Sequence, residues 1–121
     1  SSSAASDVYK RQGAYQAVQH PLAQGKADNE AARLLMYHGT KLFDEGGDAG
    51  MYSNMAKLQS ANAATAACDA AIQSHGGSGM DEDTGMLALW RMARVLKIAP
   101  INNEMILNYI AQHGMGLPRS Y

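Results

Sequence analysis

One glycine-rich segment of this sequence is suited to contact a ligand through its backbone. Residues 73–79 read Gln-Ser-His-Gly-Gly-Ser-Gly and follow directly on an alanine-rich helical run. Because Gly76, Gly77 and Gly79 lack Cβ atoms, backbone N–H groups there can approach a ligand closely. Glycine also ends helices, as the residue that follows the helix cap. The segment therefore indicates either a ligand-binding loop or a simple helix end.

A second polar cluster, Asn102, Asn103 and Glu104, follows closely on Pro100. Proline is well placed as the first residue of a helix, where its missing N–H costs nothing, so we expect a helix to begin there. Asparagine amides near a helix N-terminus can donate hydrogen bonds to an anionic ligand. The same side chains can cap the helix instead. Both interpretations of the cluster stay open.

The other reactive side chains form no recognisable site. The histidines are spread too widely for a local metal motif, so we expect no metal site. They are His20, His38, His75 and His113. Cys68 is the only cysteine, which excludes a disulfide within the chain.

Charge and hydropathy argue against two classes of partner. The formal net charge is −1, from 10 basic and 11 acidic residues, and no cluster of lysine and arginine could neutralise a phosphate backbone. Arg91, Arg94 and Lys97 form a small basic face, which a solvated or salt-bridged surface explains at least as well as a site. No apolar run is long enough to cross a bilayer. We therefore expect a soluble, cytoplasmic chain that binds neither nucleic acid nor membrane.

Hydrophobic periodicity predicts two long helices joined by a glycine turn. The first helix is expected over residues 13–43, beginning near Tyr15, and the second over residues 51–74. Pro21 fits poorly inside a helix, so either the regular helix begins around it or a kink occurs there. The turn at residues 45–50 supplies glycine where a helix end needs it.

Two shorter helices are expected in the second half of the chain. Acidic residues at 81–84 suit the positive end of a helix dipole, so the third helix should begin there and run to about Ile98. The fourth should begin at Pro100 and end before the Gly-Met-Gly-Leu-Pro stretch at 114–118. No alternating strand pattern is present. The sequence predicts an all-α, up-and-down bundle of two long and two shorter helices.

Apolar stripes predict which face of each helix is buried. The stripe of the first helix is Leu22, Ala31, Leu34, Leu35, His38 and Leu42, and that of the second is Met51, Met55, Leu58, Ala61, Ala64, Cys68, Ala71 and Ile72. Those of the shorter helices are Met86, Leu89, Trp90, Ala93 and Leu96, then Ile101, Met105, Tyr109 and Ile110. Small residues in the second stripe should let a partner pack close. Asn62, Thr65 and Asp69 could line a polar site, but we expect a solvated or hydrogen-bonded face.

The first residues differ in character from the rest of the chain. They show no apolar period and no apolar core of a signal peptide. Residues 2–12 resemble an in-frame translation of an adapter used to build sequencing libraries. We therefore expect residues 1–12 to be a non-native or disordered leader, and residues 13–121 to be an N-terminally truncated helical domain.

Four segments together resemble the C-terminal domain of the acyl-CoA dehydrogenases, in the family's order and at its spacing. They are Gly13-Ala14-Tyr15-Gln16-Ala17-Val18-Gln19; Ala31-Ala32-Arg33-Leu34-Leu35 with the turn Asp44-Glu45-Gly46; Ala56-Lys57 with the glycine-rich segment; and Arg91-Met92-Ala93-Arg94. The resemblance extends over essentially all of residues 13–121. It implies a four-helix domain that follows an N-terminal helical domain and a middle β-domain.

The resemblance also implies a flavoprotein that desaturates an acyl-CoA thioester between Cα and Cβ. In that family FAD lies between the domains and reaches into a neighbouring subunit, so a homodimer or homotetramer is expected. An electron-transferring flavoprotein is the expected electron acceptor. The residues that match the family's FAD contacts are Gln16, Gln73, Ser74, His75, Gly76, Gly77, Asn102, Asn103 and Glu104.

Pro100 departs from the family pattern and leaves the catalytic base open. Many family members carry a glutamate at this position, because the chemistry needs a carboxylate to remove the α-proton. Others carry the base on an upstream helix, which this sequence does not include. Glu104 is the candidate within the chain, expected one turn beyond Pro100 on the same helix face, but it matches an FAD contact better.

Two further hypotheses remain beside that of an active dehydrogenase. One is a catalytically inactive paralogue that keeps the bundle for FAD binding or oligomer assembly, which the proline at position 100 favours. The other is an unrelated helical interaction module, in which the glycine-rich segment is only a helix cap.

Overall fold

The computed structural model of this chain describes residues 12–120. The predicted leader, apart from Gln12, lies outside the described residues, as does Tyr121. The helices are α1 (Gln16–Asp44), α2 (Gly50–His75), α3 (Met86–Val95) and α4 (Asn103–Tyr109), with 3₁₀ turns at Gly76–Met80 and Glu82–Thr84 and a π-helical turn at Ile110–Gly114. No strand is present in the described part of the chain. The predicted all-α bundle of two long and two shorter helices is confirmed.

The turn between α1 and α2 is set by glycine, as predicted. Gly46 has a φ of +75°, which favours glycine over every other residue. The N–H of Gly47 donates to the Leu42 carbonyl at 2.8 Å and that of Gly46 donates to the Phe43 carbonyl at 3.1 Å. These two bonds form a Schellman motif, which satisfies the last carbonyls of α1 and reverses the chain into α2.

Small residues let α1 and α2 pack closely as an antiparallel pair. Gly39 lies against Ser53, so that a Cβ on Gly39 would stand 3.5 Å from the Ser53 nitrogen, and Ala32 lies near Ser60. Apart from Val18 and Glu30, the positions of α1 that are at least half-buried alternate at spacings of three and four, as expected of one helix packing along another. They are Gly25, Asp28, Ala32, Leu35, Gly39 and Leu42.

The predicted stripe of α1 is therefore wrong in part. Only Leu35 and Leu42 of that stripe are even half-buried, whereas Leu34 is 68% exposed and His38 is exposed. Close packing against α2 selects small side chains, which a hydrophobicity pattern does not favour. The predicted stripe of α2 is confirmed, because all its members are buried or half-buried.

Pro21 lies inside α1, since the helix begins at Gln16 with Tyr15 as its N-cap. The expectation that the helix begins near Tyr15 is confirmed, and a regular helix that begins only around Pro21 is wrong. As the sixth residue of α1, Pro21 has no N–H to donate to the carbonyl four residues before it, so α1 lacks one helical hydrogen bond there.

The two shorter helices begin later than the sequence predicts. The acidic residues at 81–84 form a 3₁₀ turn, in which the Asp81 carboxylate accepts from the Asp83 N–H at 2.9 Å, and Gly85 with a φ of +77° precedes α3. α3 ends at Val95 rather than near Ile98.

The fourth helix also begins later than predicted, because Asn102 is its N-cap. The Asn102 Oδ1 accepts from the Met105 N–H at 2.8 Å, so the first helical residue is Asn103 and not Pro100. Within α4, Ile106 is 1% exposed while Met105 is 46% exposed. The predicted stripe is therefore wrong at Ile101 and Met105, which are exposed, whereas its other members, Tyr109 and Ile110, are half-buried.

Candidate functional site

The three glycines of the glycine-rich segment have different structural roles. Gly79 packs against α2, because a Cβ there would stand 2.5 Å from the Ile72 carbonyl oxygen. Gly76 caps α2 with φ +60° and ψ −139°, a conformation that favours glycine. Apart from the adjoining residues, no atom of the described chain lies within 4 Å of a Cβ built on Gly76 or Gly77. Gly79 therefore fixes the fold of the segment, and the other two leave open space beside its backbone.

Within residues 12–120, the polar side chains that precede these glycines form no hydrogen bond to another helix. Gln73, Ser74 and His75 are all exposed, in the last turn of α2. The His75 Nδ1 lies 2.8 Å from the Ala71 carbonyl of the same helix, so the ring is oriented locally. A ligand at the glycine-rich segment would therefore meet exposed side chains and an open backbone.

Gln16 lies at the same end of the helix pair as the glycine-rich segment. It is the exposed first residue of α1. Because α1 and α2 are antiparallel and of similar length, the start of α1 and the end of α2 share one end of the pair. The structure thus brings Gln16 towards the glycine-rich segment, although α2 is the one described helix that α1 contacts.

The second predicted cluster lines a cleft between α2, α3 and α4. This cleft, which we call the polar cleft, has a volume of about 490 Å³. Its lining residues are Leu58, Asn62, Arg94, Lys97, Ile98, Asn102, Asn103, Glu104 and Leu107. All three members of the predicted cluster, Asn102, Asn103 and Glu104, are among them.

Asn103 carries an unpartnered acceptor in the wall of the polar cleft. Its Nδ2 donates to the Asn62 Oδ1 at 2.9 Å, and its backbone N–H donates to the Lys97 carbonyl at 3.0 Å. Its Oδ1 is buried and has no hydrogen-bond partner among residues 12–120. A buried acceptor without a partner costs free energy, which a donor on a bound ligand would recover.

Charged side chains line the same cleft. Arg94 is exposed and Lys97 half-buried, and neither forms an ion pair within residues 12–120. Arg91, by contrast, lies 3.7 Å from the Glu82 carboxylate on the exposed surface, as expected of a salt-bridged face. The cleft therefore presents two cations and the carboxylate of Glu104 around the Asn103 amide.

Pro100 is not on the same helix as Glu104. Asn102 is the N-cap of α4, so the helix begins at Asn103. Pro100 lies before it, in the exposed connection between α3 and α4. The expectation that Glu104 follows Pro100 by one helical turn is therefore wrong. Glu104 reaches the cleft as the second residue of α4.

The structure separates the predicted residues into two groups. Gln16 and residues 73–77 lie at one end of the helix pair, and Asn102, Asn103 and Glu104 line the cleft beside Asn62. From Asn62 to His75 the distance along α2 is about 20 Å, at 1.5 Å per residue. The two groups are thus separate surfaces of this chain.

Sequence reasoning did not assign the partners of the polar side chains on α2. Asn62 and Thr65 are hydrogen-bonded, as expected of that face: Asn62 bonds Asn103, and the Thr65 hydroxyl bonds the Ala61 carbonyl and lies 3.3 Å from that of Ala93. Lys57 donates to the Leu96 carbonyl at the end of α3. Polar residues interrupting an apolar stripe are the signal in the sequence, but their partners are 28 to 41 residues away.

Within residues 12–120, no group of three or more histidine, cysteine or acidic side chains is arranged to hold a metal ion. In that same part of the chain, no helix has the length and apolar character needed to span a membrane.

Comparison with known families decides what the helical architecture represents. The family model of the acyl-CoA dehydrogenase C-terminal domain matches residues 4–115. The chain belongs to the acyl-CoA dehydrogenase family. The match begins within the predicted leader, and the boundary between leader and domain at residues 12 and 13 stays a prediction.

Individual relatives agree with that membership. The acyl-CoA dehydrogenase FadE12 of Mycobacterium tuberculosis (strain ATCC 25618 / H37Rv) is 45% identical over 111 residues, which are 90% of this chain and 29% of that protein. The caffeyl-CoA reductase-Etf complex subunit CarC of Acetobacterium woodii is 32% identical over 89 residues, 74% of this chain and 24% of that protein. The chain thus spans less than a third of the length of these relatives.

A solved structure shares the fold of this chain. The FAD complex of PigA superimposes with a TM-score of 0.80 at 28% identity, over 87% of this chain and 27% of that one. Together with the family model and the relatives, this match confirms the resemblance to the acyl-CoA dehydrogenase C-terminal domain.

Proposed function

We propose that this chain is the C-terminal part of an FAD-dependent acyl-CoA dehydrogenase that desaturates an acyl-CoA thioester between Cα and Cβ. Family membership and the FAD-bound state of the PigA structure support the proposal. Within the chain, the observation that carries it is the buried, unpartnered Asn103 Oδ1 in the wall of the polar cleft.

The residues of the polar cleft fit the polar parts of FAD. The Asn103 Oδ1 can accept a hydrogen bond from a ligand N–H, and Arg94 and Lys97 can stabilise phosphate or carbonyl oxygens. At the end of the helix pair, the open backbone at Gly76 and Gly77 leaves room for another part of the cofactor or for the cofactor of another subunit. When bound, FAD would supply the acceptor for the hydride that leaves Cβ.

We propose that the base lies outside this chain. Pro100 has no group that can take a proton, and the Glu104 carboxylate lines the cleft beside the asparagines that we assign to FAD. Proton removal next to a thioester needs a carboxylate within hydrogen-bond reach of Cα. A glutamate or aspartate on a preceding helix of the full-length protein meets that need.

The partners follow from the same proposal. The substrate is an acyl-CoA, and an electron-transferring flavoprotein accepts the electrons in the cytoplasm; the name of CarC places that relative in a complex with such a protein. Exposed apolar side chains, among them Phe43 at 75% and Met92 at 68%, are available to other domains or to the subunits of a homodimer or homotetramer.

Anaerobic mixing of the full-length protein with acyl-CoA substrates tests the proposal. We expect the purified protein to carry FAD and its flavin absorbance to bleach in a single turnover. FAD that no acyl-CoA reduces would favour the inactive paralogue, which the proline at position 100 already suggests. Protein without FAD, and without affinity for it, would favour the helical interaction module.

The isolated helical part gives a second test. Residues 13–121 expressed alone should be helical but prone to aggregate and unable to retain FAD, because their apolar surface lacks its covering domains. A monodisperse yellow monomer would contradict this expectation.

A further inference from the structure

We propose that Asn62 is a positioning residue for the cofactor: it holds the Asn103 amide so that the Asn103 Oδ1 stays available to a ligand in the polar cleft. The inference rests on the proposed function, since it assumes that FAD is the ligand. It assigns a role to a residue of α2 that matches none of the cofactor contacts implied by the family resemblance.

α4 alone does not hold Asn103 in place. The helix has seven residues, and Ile106 is its one fully buried side chain, while Met105 and Leu107 are 46% and 52% exposed. Asn103 is the first residue of this short helix. Its side chain therefore depends on a contact from another element for its orientation.

Asn62 supplies that contact from α2. The Asn62 Oδ1 accepts from the Asn103 Nδ2 at 2.9 Å, and both residues line the polar cleft. A primary amide has its donors and its acceptor on opposite sides, so fixing the nitrogen towards Asn62 also fixes where the oxygen lies. Without the bond the amide can rotate, and a ligand must then order it at an entropic cost.

The other polar bonds from α2 differ in kind. Lys57 and Thr65 approach main-chain carbonyls of Leu96 and Ala93, at and near the end of α3. Thr65 does not line the polar cleft, whereas Asn62 does. Asn62 thus holds a side chain of the candidate site, and Thr65 holds the backbone of α3, which makes Thr65 a matched control.

Titration of FAD into the full-length apoprotein, followed by flavin fluorescence, tests the proposal with three variants. Asn62→Leu removes the acceptor at similar size and should raise the Kd for FAD about tenfold. Asn62→Asp keeps an acceptor for the Asn103 Nδ2 and should stay within about threefold of wild type. Thr65→Val should also stay within about threefold, with helix content checked by circular dichroism in each case.

A double variant tests whether Asn62 acts through Asn103. If it does, Asn62→Leu together with Asn103→Leu should bind FAD no more weakly than Asn103→Leu alone. Asn62→Ser, which cannot reach Asn103 but adds no apolar bulk, replaces Asn62→Leu if that variant loses helix content.

Each contrary outcome has a distinct meaning. An unchanged Kd in Asn62→Leu and Asn62→Ser overturns the positioning role, as does an equal loss in Asn62→Asp or Thr65→Val. Additive losses in the double variant also overturn it. Wild-type protein that binds no FAD overturns the proposed function itself, and the inference falls with it.

Discussion

The glycine-rich segment and the polar cleft lie along the same helix but are built by different means. At the glycine-rich segment, backbone conformation determines the structure: Gly76 needs a positive φ, and Gly79 needs the absence of a Cβ. At the polar cleft, side chains from three helices determine it, through the bond from Asn103 to Asn62.

This difference decides how each region should respond to mutation. Replacing a glycine whose backbone conformation or close packing requires glycine should mainly lower the stability of the fold, because no other residue can adopt that conformation or fit there without strain. A change at a hydrogen-bonded side chain acts mainly on the group that it orients. Variants at the two regions should therefore separate losses of stability from losses of cofactor affinity.

The largest effect is expected at Gly79. In Gly79→Ala the new Cβ would lie 2.5 Å from the Ile72 oxygen and 2.9 Å from the Ile72 Cα, both backbone atoms. We expect a loss of about 3 kcal/mol in the free energy of unfolding, as for an overpacked site that must shift its backbone. Urea unfolding of the full-length protein measures it. Gly77→Ala is the control, expected within about 0.5 kcal/mol of wild type because its Cβ meets nothing within 4 Å. Equal losses in both would contradict the division of roles.

A substitution at Gly77 tests whether FAD binds at the glycine-rich segment. Since its surroundings within the described chain are open, Gly77→Val should fold with near-normal helix content. If the backbone there approaches FAD, the added side chain should weaken FAD binding about tenfold. FAD occupancy of the purified protein, read beside its far-UV circular dichroism, checks this. Unchanged occupancy would leave the segment as a helix end only.

Local signals in the sequence predicted the helix ends that depend on backbone conformation. The Schellman turn at Gly46 and the end of α2 near Gly76 follow from glycine alone, and both were expected where the structure has them. The start of the fourth helix does not follow from such a local signal. Pro100 and Asn102 are both residues that favour a helix start, and the helix can begin at only one of them. The Asn102 cap is the start that the structure uses.

Tertiary packing explains what the sequence could not predict. The buried face of α1 consists of small residues such as Ala32 and Gly39, and Leu34 is left outside. The role of Asn62 depends on a partner 41 residues later, Asn103, and no periodicity encodes such a pair. The sequence thus indicated polar clusters, and the folded chain determined which of them meet.

A smaller effect is expected from Glu104→Gln at the polar cleft. As a cofactor contact, Glu104 should change the Kd for FAD by about threefold when its charge is removed. As the base, it would contribute about 10²-fold to 10⁴-fold to the reaction rate. We expect the rate of flavin bleaching by acyl-CoA to stay within about threefold of wild type. The exposed Glu82, which pairs with Arg91 outside the cleft, provides the control Glu82→Gln. A variant that keeps its FAD but loses bleaching by orders of magnitude would make Glu104 the base.

Two separable effects are expected at Asn102, where a helix cap and a proposed cofactor contact coincide. Its Oδ1 accepts from the Met105 N–H at 2.8 Å, so Asn102→Ala should cost about 1 kcal/mol of stability. Asn102→Asp keeps the cap, because aspartate is an equally good N-cap residue, but it replaces the amide donor with a carboxylate. In the full-length protein we expect Asn102→Asp to keep its unfolding free energy and to bind FAD about threefold more weakly. Urea unfolding and FAD titration of both variants measure the two quantities separately. If Asn102→Asp matches wild type in both, Asn102 serves the helix alone and Asn103 is the asparagine that the cofactor uses.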